Sequence, residues 1–253
     1  MSSEYERIAI ITGATSGIGE ATARRFIDAG FGVIGNGRNQ EKLTALEKEL
    51  TPAFRGVAGD TADHGVITSL FETTVAHFGK EPDIVVANAG RGLTGTVTNS
   101  DLTNFEEVLR TNVSGTLALI QQAANRMVKL QEKAWPASAA DIVVIGSVVG
   151  HHISPFSAVY GATKFAVHAL AEGLRREVGP KGVRVSLVAP GIVLSGFQDA
   201  AGYSDELVGT FHERFGPLMN GDPVADAIFN IVNQPPHIHI SDMVIRPTRQ
   251  DYP

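Results

Sequence analysis

Three side chains near the middle of the sequence have the types and spacing of a proton-transfer site. Ser147 follows the apolar run Ile142 to Ile145 and Gly146, and thirteen residues later Tyr160-Gly161-Ala162-Thr163-Lys164 opens an amphipathic stretch. Residues four apart share a helical face, so Tyr160 and Lys164 are expected side by side. An ammonium beside a phenol favours the phenolate and draws a pKa of about 10 toward working pH, where proton transfer is most effective. A hydroxyl at the C-terminal end of a strand, as Ser147 would be, can hydrogen-bond a substrate oxygen and hold it against that acid. Tyr-x-x-x-Lys alone recurs in many helices; what precedes it gives it meaning.

A second constellation lies at the start of the chain. The run Ile8 to Thr12 enters Thr12-Gly13-Ala14-Thr15-Ser16-Gly17-Ile18-Gly19. Glycines at 13, 17 and 19 let the backbone turn tightly and approach a pyrophosphate, while the N–H groups opening the next helix face it. Gly13, Thr15, Ser16, Gly17, Ile18 and Gly19 are therefore candidate cofactor-binding residues. The spacing is Gly-x-x-x-Gly-x-Gly, not the Gly-x-Gly-x-x-Gly of the better-known dinucleotide fingerprint. The next apolar run ends Val33-Ile34-Gly35-Asn36-Gly37-Arg38-Asn39, with no acidic residue to bind a ribose 2′-hydroxyl. Arg38 offers a guanidinium that can fork onto a 2′-phosphate and stack on adenine. This chemistry favours NADP(H) over NAD(H).

The elements needed to position these groups follow from the periodicity. Apolar runs at Ile8–Thr12, Gly32–Asn36, Phe54–Ala58, Ile84–Ala87, Ile142–Ile145, Val183–Val188 and Ile238–Ile245 alternate with amphipathic segments. Helices are expected near Ile18–Ala29, Glu41–Leu50, Val66–Phe78, Phe105–Leu130, Val159–Val178, Asp205–Arg214 and Val224–Val232. Continuous Ile/Val-rich runs suit strands buried on both faces, hence a parallel, doubly wound, Rossmann-like α/β sheet with helices on both sides. Leu194 to Asn220 breaks the rhythm just past a strand end, where a substrate lid belongs. One domain over residues 1–253 is expected, the cofactor part about 1–146 and the catalytic and substrate-loop part about 147–253.

With these pieces in order, the sequence resembles the short-chain dehydrogenase/reductase family over essentially its whole length. The matching pieces are Thr12 to Gly19, Asp60, Asn88-Ala89-Gly90, Asn112, Ser147, Tyr160 with Lys164, and Pro190-Gly191. The resemblance implies a sheet of about seven mainly parallel strands and a catalytic set of Asn112, Ser147, Tyr160 and Lys164. In that set the tyrosine is the general acid/base, the serine orients the carbonyl, the lysine holds the ribose and tunes the tyrosine, and the asparagine positions a relay water. It also implies that Asp60 meets the adenine, Asn88, Ala89 and Gly90 the adenosine side, and Pro190, Gly191, Ile192 and Ser195 the nicotinamide end. Two departures stand out: Ala87 precedes Asn88 where the family commonly has a second asparagine, and Ser195 replaces a frequent threonine. Gly37 to Lys42 and Ile245-Arg246-Pro247-Thr248 resemble the branch of NADP-dependent 3-hydroxy acid (serine-type) dehydrogenases and clavaldehyde dehydrogenase. Homodimers or homotetramers are what the family implies, and the aliphatic face of Phe105–Leu130 suits either subunit packing or its own sheet.

Other residues carry two readings each. Arg91 suits an anionic substrate group or a solvated loop. His151-His152 follows the serine, as a substrate contact or a polar loop pair. Val149 is a candidate substrate contact, and Phe197, with Tyr203 and Phe211, either shapes the lid or forms its small core. His237 and His239 alternate with Ile238 and Ile240 like the polar face of a strand, so no metal site is expected.

Composition narrows the classes. The 253 residues include 43% hydrophobic and 19% charged residues, enough for a buried core and too few charges for a disordered chain. Net charge is −6, so nucleic acid is not an expected partner. There is no cysteine, hence no disulfide, thiolate metal site or thiol nucleophile. Neither a signal segment nor a run of about 18 apolar residues is present, which reads as a soluble cytoplasmic protein without membrane association. The expected activity is an NADP(H)-dependent interconversion of a small alcohol and its carbonyl. The rivals are 3-oxoacyl-thioester reduction and a non-catalytic dinucleotide sensor.

Overall fold

Seven parallel strands form one sheet in the order β3-β2-β1-β4-β5-β6-β7. The structure is a computed structural model that describes residues 5–154 and 157–252, apart from the side chains at 199 and 200. The strands are β1 Ile8–Ile11, β2 Gly32–Gly37, β3 Phe54–Ala58, β4 Ile84–Ala87, β5 Ala140–Ile145, β6 Val183–Pro190 and β7 Asp242–Ile245. The helices are α1 Gly17–Asp28, α2 Gln40–Leu50, α3 His64–Phe78, α4 Leu102–Leu109, α5 Thr116–Ala134, α6 Ala158–Val178, α7 Phe197–Ala200, α8 Asp205–Phe215 and α9 Asp222–Val232. The strand order reverses between β1 and β4, the switch point at which open α/β sheets bind ligands.

Alternate residues of each inner strand face opposite helix layers. Ile8 and Ile10 pack with α3, α5 and α6 through Leu70, Phe71, Leu119 and Val167. Ala9 and Ile11 face α1, α2 and α9 through Phe26, Leu43 and Ile228. Every residue of β1, β2, β4, β5 and β6 is buried, in keeping with their mainly apolar sequences, whereas the edge strands β3 and β7 are partly exposed. No helix among the described residues is long and apolar enough to cross a membrane.

Two expectations are corrected. The helix expected over Phe105–Leu130 is α4 and α5 joined by a π-helical turn at Arg110–Gly115. Side-chain periodicity does not distinguish one wide turn from an α-helical one. That turn contains Asn112, whose amide is held by Arg91 and Thr163. The last strand begins at Asp242, not Ile238, and His237 and His239 precede it. The Arg184 guanidinium takes the carbonyls of Gln234, Pro235 and Ile238, which ties this segment down as a loop instead of a sheet partner. His239 turns back to within 3.1 Å of the Val185 carbonyl and 3.3 Å of the Ser186 hydroxyl.

Candidate active site

The C-terminal ends of the strands open into a cleft of about 490 Å³, lined from the glycine-rich turn at one end to α8 at the other. At the first end Gly13 and Gly17 have φ of +67° and +55°, the left-handed region in which side chains are strained. A Cβ on Gly19 would collide with the Gly13 carbonyl. The turn is fastened to the end of β4: Asn88 Nδ2 donates to the Thr12 carbonyl at 2.8 Å, and the Asn88 and Ala89 N–H groups donate to Thr12 Oγ1 at 3.1 and 3.0 Å. Thr15, Ser16, Gly17, Ile18, Asn88, Ala89 and Gly90 line the cleft beside this turn. Arg38 lies exposed on the rim at the end of β2. Asp60 also lines the cleft; its Oδ1 accepts the Ala62 N–H at 2.9 Å, and its other oxygen pairs with Arg110.

Ser147, Tyr160 and Lys164 meet in the middle of the cleft. β5 delivers Ser147 at its tip, and α6 runs back alongside with Tyr160 and Lys164 on one face, both buried. The Ser147 hydroxyl lies close enough to the Tyr160 hydroxyl to lower its pKa, and it accepts the Val149 N–H at 3.4 Å. Lys164 Nζ lies 5.9 Å from the centre of the Tyr160 ring and donates to the Ile145 carbonyl at 2.9 Å. A Cβ on Gly90 would lie in ordinary van der Waals contact with Asn112 Oδ1 and Lys164 Nζ, which places Gly90 beside both. Desolvation pushes the Tyr160 phenol above its ordinary pKa; Tyr203 adds to this and the neighbouring Ser147 hydroxyl opposes it. Desolvation likewise pushes Lys164 down to about 8. Burial therefore outweighs the lowering of the phenol pKa expected from the lysine spacing.

Asn112 is buried but does not line the cleft. Its Oδ1 accepts the Arg91 N–H at 2.8 Å, and its Nδ2 donates to the Arg91 carbonyl at 2.9 Å and to Thr163 Oγ1 at 3.2 Å. Pro190, Gly191, Ile192 and Ser195 line the cleft beyond β6, where Ser195 N donates to Gln198 Oε1 at 3.1 Å. Among the candidate substrate contacts, Val149 and Phe197 line the cleft, with the Phe197 ring 5.7 Å from that of Tyr160. Arg91 lines the cleft, and its guanidinium pairs with Glu107. His151 does not line it; its ring packs 4.5 Å from that of His168.

Several lining residues escaped sequence reasoning. Leu207, Arg214 and Phe215 from α8 and Gln250 and Tyr252 from the C-terminal segment wall the far end. His168, one helical turn beyond Lys164, hydrogen-bonds the Ser147 backbone. The four-residue spacing from Lys164 was the available signal for His168; no short-range pattern marks the C-terminal residues.

The chain is similar to known proteins over most of its length. The short chain dehydrogenase family model matches residues 7–204. Serine 3-dehydrogenase of Agrobacterium fabrum is 33% identical over 245 residues, 96% of this chain and 94% of its own. An uncharacterized oxidoreductase of Staphylococcus epidermidis is 30% identical over 247 residues, 98% of this chain and all of its own. The closed form of serine dehydrogenase complexed with NADP+ superposes with a TM-score of 0.87 at 28% identity, covering 97% of this chain and 96% of that one. Matched by the family model over residues 7–204 and by a relative 33% identical over nearly its full length, the chain belongs to the short-chain dehydrogenase family of oxidoreductases.

Proposed function

We propose that the protein interconverts a small polar alcohol, such as a 3-hydroxy acid, and the corresponding ketone or aldehyde with NADP(H). The observation that carries this reading is that Ser147, Tyr160 and Lys164 share one cleft with the glycine-rich turn and Arg38. The cleft fits the cofactor: a Cβ at 13 or 17 would crowd Asn88 or Ser195, and Asn36, Gly37 and Arg38 at the β2 end bring no carboxylate against a 2′-phosphate. Gly13, Thr15 to Gly19, Arg38, Asp60, Asn88 to Gly90, Tyr160, Lys164, Pro190 to Ile192 and Ser195 would hold it. Kinship to a serine 3-dehydrogenase and likeness to a serine dehydrogenase bound to NADP+ support the same choice of cofactor and substrate class.

When bound, the nicotinamide supplies or accepts the hydride. The protein's part is the proton. Ser147 holds the substrate oxygen beside the Tyr160 hydroxyl, with which it shares the cleft. Tyr160 gives its proton to that oxygen in reduction and withdraws it in oxidation. Lys164, as the ammonium, favours the phenolate that remains, and the buried setting strengthens that interaction. Asn112 acts through the backbone of Arg91 and through Thr163, whose hydroxyl donates to the Tyr160 carbonyl at 2.7 Å.

The test is NADPH consumption against aldehydes, ketones and 3-oxo acids, repeated with NADH and with Tyr160→Phe. Turnover of 3-oxo acids by the wild type, lost in Tyr160→Phe with NADPH binding retained, supports the reading. Binding without turnover across the panel would leave a dinucleotide sensor, and turnover confined to long 3-oxoacyl thioesters would change the substrate class. We also propose a homodimer or homotetramer joined across α4 and α5, supported by the exposed Leu102, Leu109, Leu117 and Leu130. Light scattering of the wild type and of Leu117→Glu tests that assembly. Residues of about 1–146 would serve the cofactor and about 147–253 the chemistry and the substrate.

A further inference from the structure

Gln250 is the one buried residue in the exposed stretch from 248 to 251, and it lines the same cleft as Ser147, Tyr160 and Lys164. It is 4% exposed. Its Oε1 accepts the Ile192 N–H at 2.9 Å, and only glycine at 191 leaves it room, since a Cβ there would overlap that oxygen. Its Nε2 is buried without a hydrogen-bond partner among the described residues. Buried amide donors are paired in folded proteins, and an orphan in a ligand cleft calls for an acceptor from the ligand.

The neighbours of Gln250 hold it there. Arg249 donates to the Gly216 carbonyl at 3.1 Å and the Glu213 carbonyl at 3.4 Å, and Asp251 pairs with Arg214 at 3.1 Å. Tyr252 donates to the Ile153 carbonyl. The segment is thus fastened to the end of α8 on one side and to the loop after Ser147 on the other. Ile145 is in register with Val188, so the chain just beyond β6, including Gly191 and Ile192, lies next to the Ser147 end of β5. A nicotinamide ring must reach the carbon held at Ser147 and Tyr160, and its carboxamide is the ring's polar substituent. A 3-hydroxy acid carries its carboxylate only two carbons from the reacting one.

We propose that Gln250 is a ligand-binding residue whose Nε2 donates to an acceptor oxygen in the cleft, the cofactor's carboxamide oxygen or the substrate's carboxylate. This rests on the NADP(H) and hydroxy-acid reading above. The pinned Oε1 fixes the amide orientation, leaving the donor end for the ligand.

Gln250→Glu tests it, because the variant keeps an oxygen for the Ile192 N–H and replaces the donor by an acceptor. Calorimetry at about pH 7 and about pH 9, the higher pH favouring the ionised glutamate against the desolvation of its site, would compare NADPH with 2′-phospho-ADP-ribose, which lacks the nicotinamide. Kinetics would compare a 3-hydroxy acid with the matching alcohol lacking the carboxylate. The expected result is a loss of about 10-fold confined either to NADPH affinity or to the KM of the acid, with the fragment and plain alcohol within about 2-fold. The first pattern assigns the carboxamide and the second the carboxylate. Gln250→Leu should show the same pattern should the glutamate variant fold poorly. Unchanged values throughout, or equal weakening of NADPH and the fragment, would overturn the proposal and leave Gln250 a support for Ile192. A wild type that binds neither NADPH nor the fragment would instead sink the cofactor reading.

Discussion

His168 Nε2 accepts the backbone N–H of Ser147 at 3.3 Å, linking α6 to the tip of β5. The ring fills the space beside Gly146 and Gly150, where a Cβ at either position would overlap it. Desolvation, and then the charges of His151 and Lys164, push His168 down to about 4. It is therefore a neutral acceptor throughout the working pH range. Asp242 approaches this pair only through His151, at 3.9 Å.

His168→Leu should lower kcat/KM about 10-fold with NADPH affinity unchanged, because it frees the peptide that carries the serine while touching no cofactor contact. His168→Gln, whose side-chain oxygen can accept the same bond, should restore most of the activity. The folded pKa lies below the ordinary value, so the unfolded chain binds more protons between about pH 4 and 6.5 and stability falls as pH drops through that window. Both variants should lose this acid sensitivity in thermal melts. Full activity in His168→Leu would show that neighbouring contacts alone hold the Ser147 peptide.

Lys164 titrates in the opposite part of the scale. Its folded pKa of about 8 lies below the ordinary 10.5, so below pH 8 the burial penalty on the ammonium is complete. Between about pH 8 and 10.5 the folded lysine sheds its proton first and the penalty fades, so stability rises with pH across that window. Lys164→Met should therefore compare best with wild type near pH 7. Its relative stability should shrink by up to about 3 kcal/mol by pH 10.5. Urea melts at pH 7, 9 and 10.5 measure this difference, and a pH-independent offset would show that Lys164 titrates normally. Turnover should be lost at every pH.

The inner sheet was legible because its strands are buried on both faces and are rich in Ile and Val, whereas the partly exposed edge strand β7 was placed too early. The glycine-rich turn and the Ser147-Tyr160-Lys164 spacing were legible because each is a local pattern tied to one strand end. What escaped depends on contacts distant in sequence. Arg184 reaches some 50 residues ahead to hold Gln234 and Ile238 off the sheet, and Gln250 returns across 58 residues to Ile192. The π turn at Arg110–Gly115 escaped for another reason, since it leaves the apolar periodicity of the surrounding helices nearly intact. The electrostatics of Tyr160 and Lys164 were misjudged because spacing reveals the neighbour but not the burial, which here dominates both shifts.

Arg38 tests the choice of cofactor. It stands at the rim at the end of β2, where Asn36 donates to the Val57 and Gly59 carbonyls at 3.0 and 3.2 Å and so keeps the strand tip in place. A guanidinium there can pair with a 2′-phosphate, whereas the 2′-hydroxyl of NADH offers no charge. Arg38→Ala should weaken NADPH by about 10- to 100-fold and NADH by less than about 3-fold. Fluorescence titration of both cofactors measures this, and equal losses would remove the 2′-phosphate role.

Asp141 separates stability from catalysis. At the opposite end of β5 from Ser147, its carboxylate is 1% exposed and receives Arg184 through two bonds, 2.7 and 2.9 Å, and Arg7 through a third at 2.8 Å. The same Arg184 side chain holds the carbonyls of Val232, Gln234 and Ile238. Removing the carboxylate leaves a buried guanidinium with carbonyls but no counter-charge, so Asp141→Ala should cost about 3–5 kcal/mol in urea melts. Replacing both partners, Asp141→Leu with Arg184→Met, removes the unpaired charge and should recover part of that loss, though the carbonyls Arg184 served then need new donors. Because the network lies across the sheet from the cleft, kcat and NADPH affinity of the folded fraction should stay within about 2-fold of wild type. A large change in kcat with unchanged stability would mean that this end of β5 is coupled to the Ser147 tip.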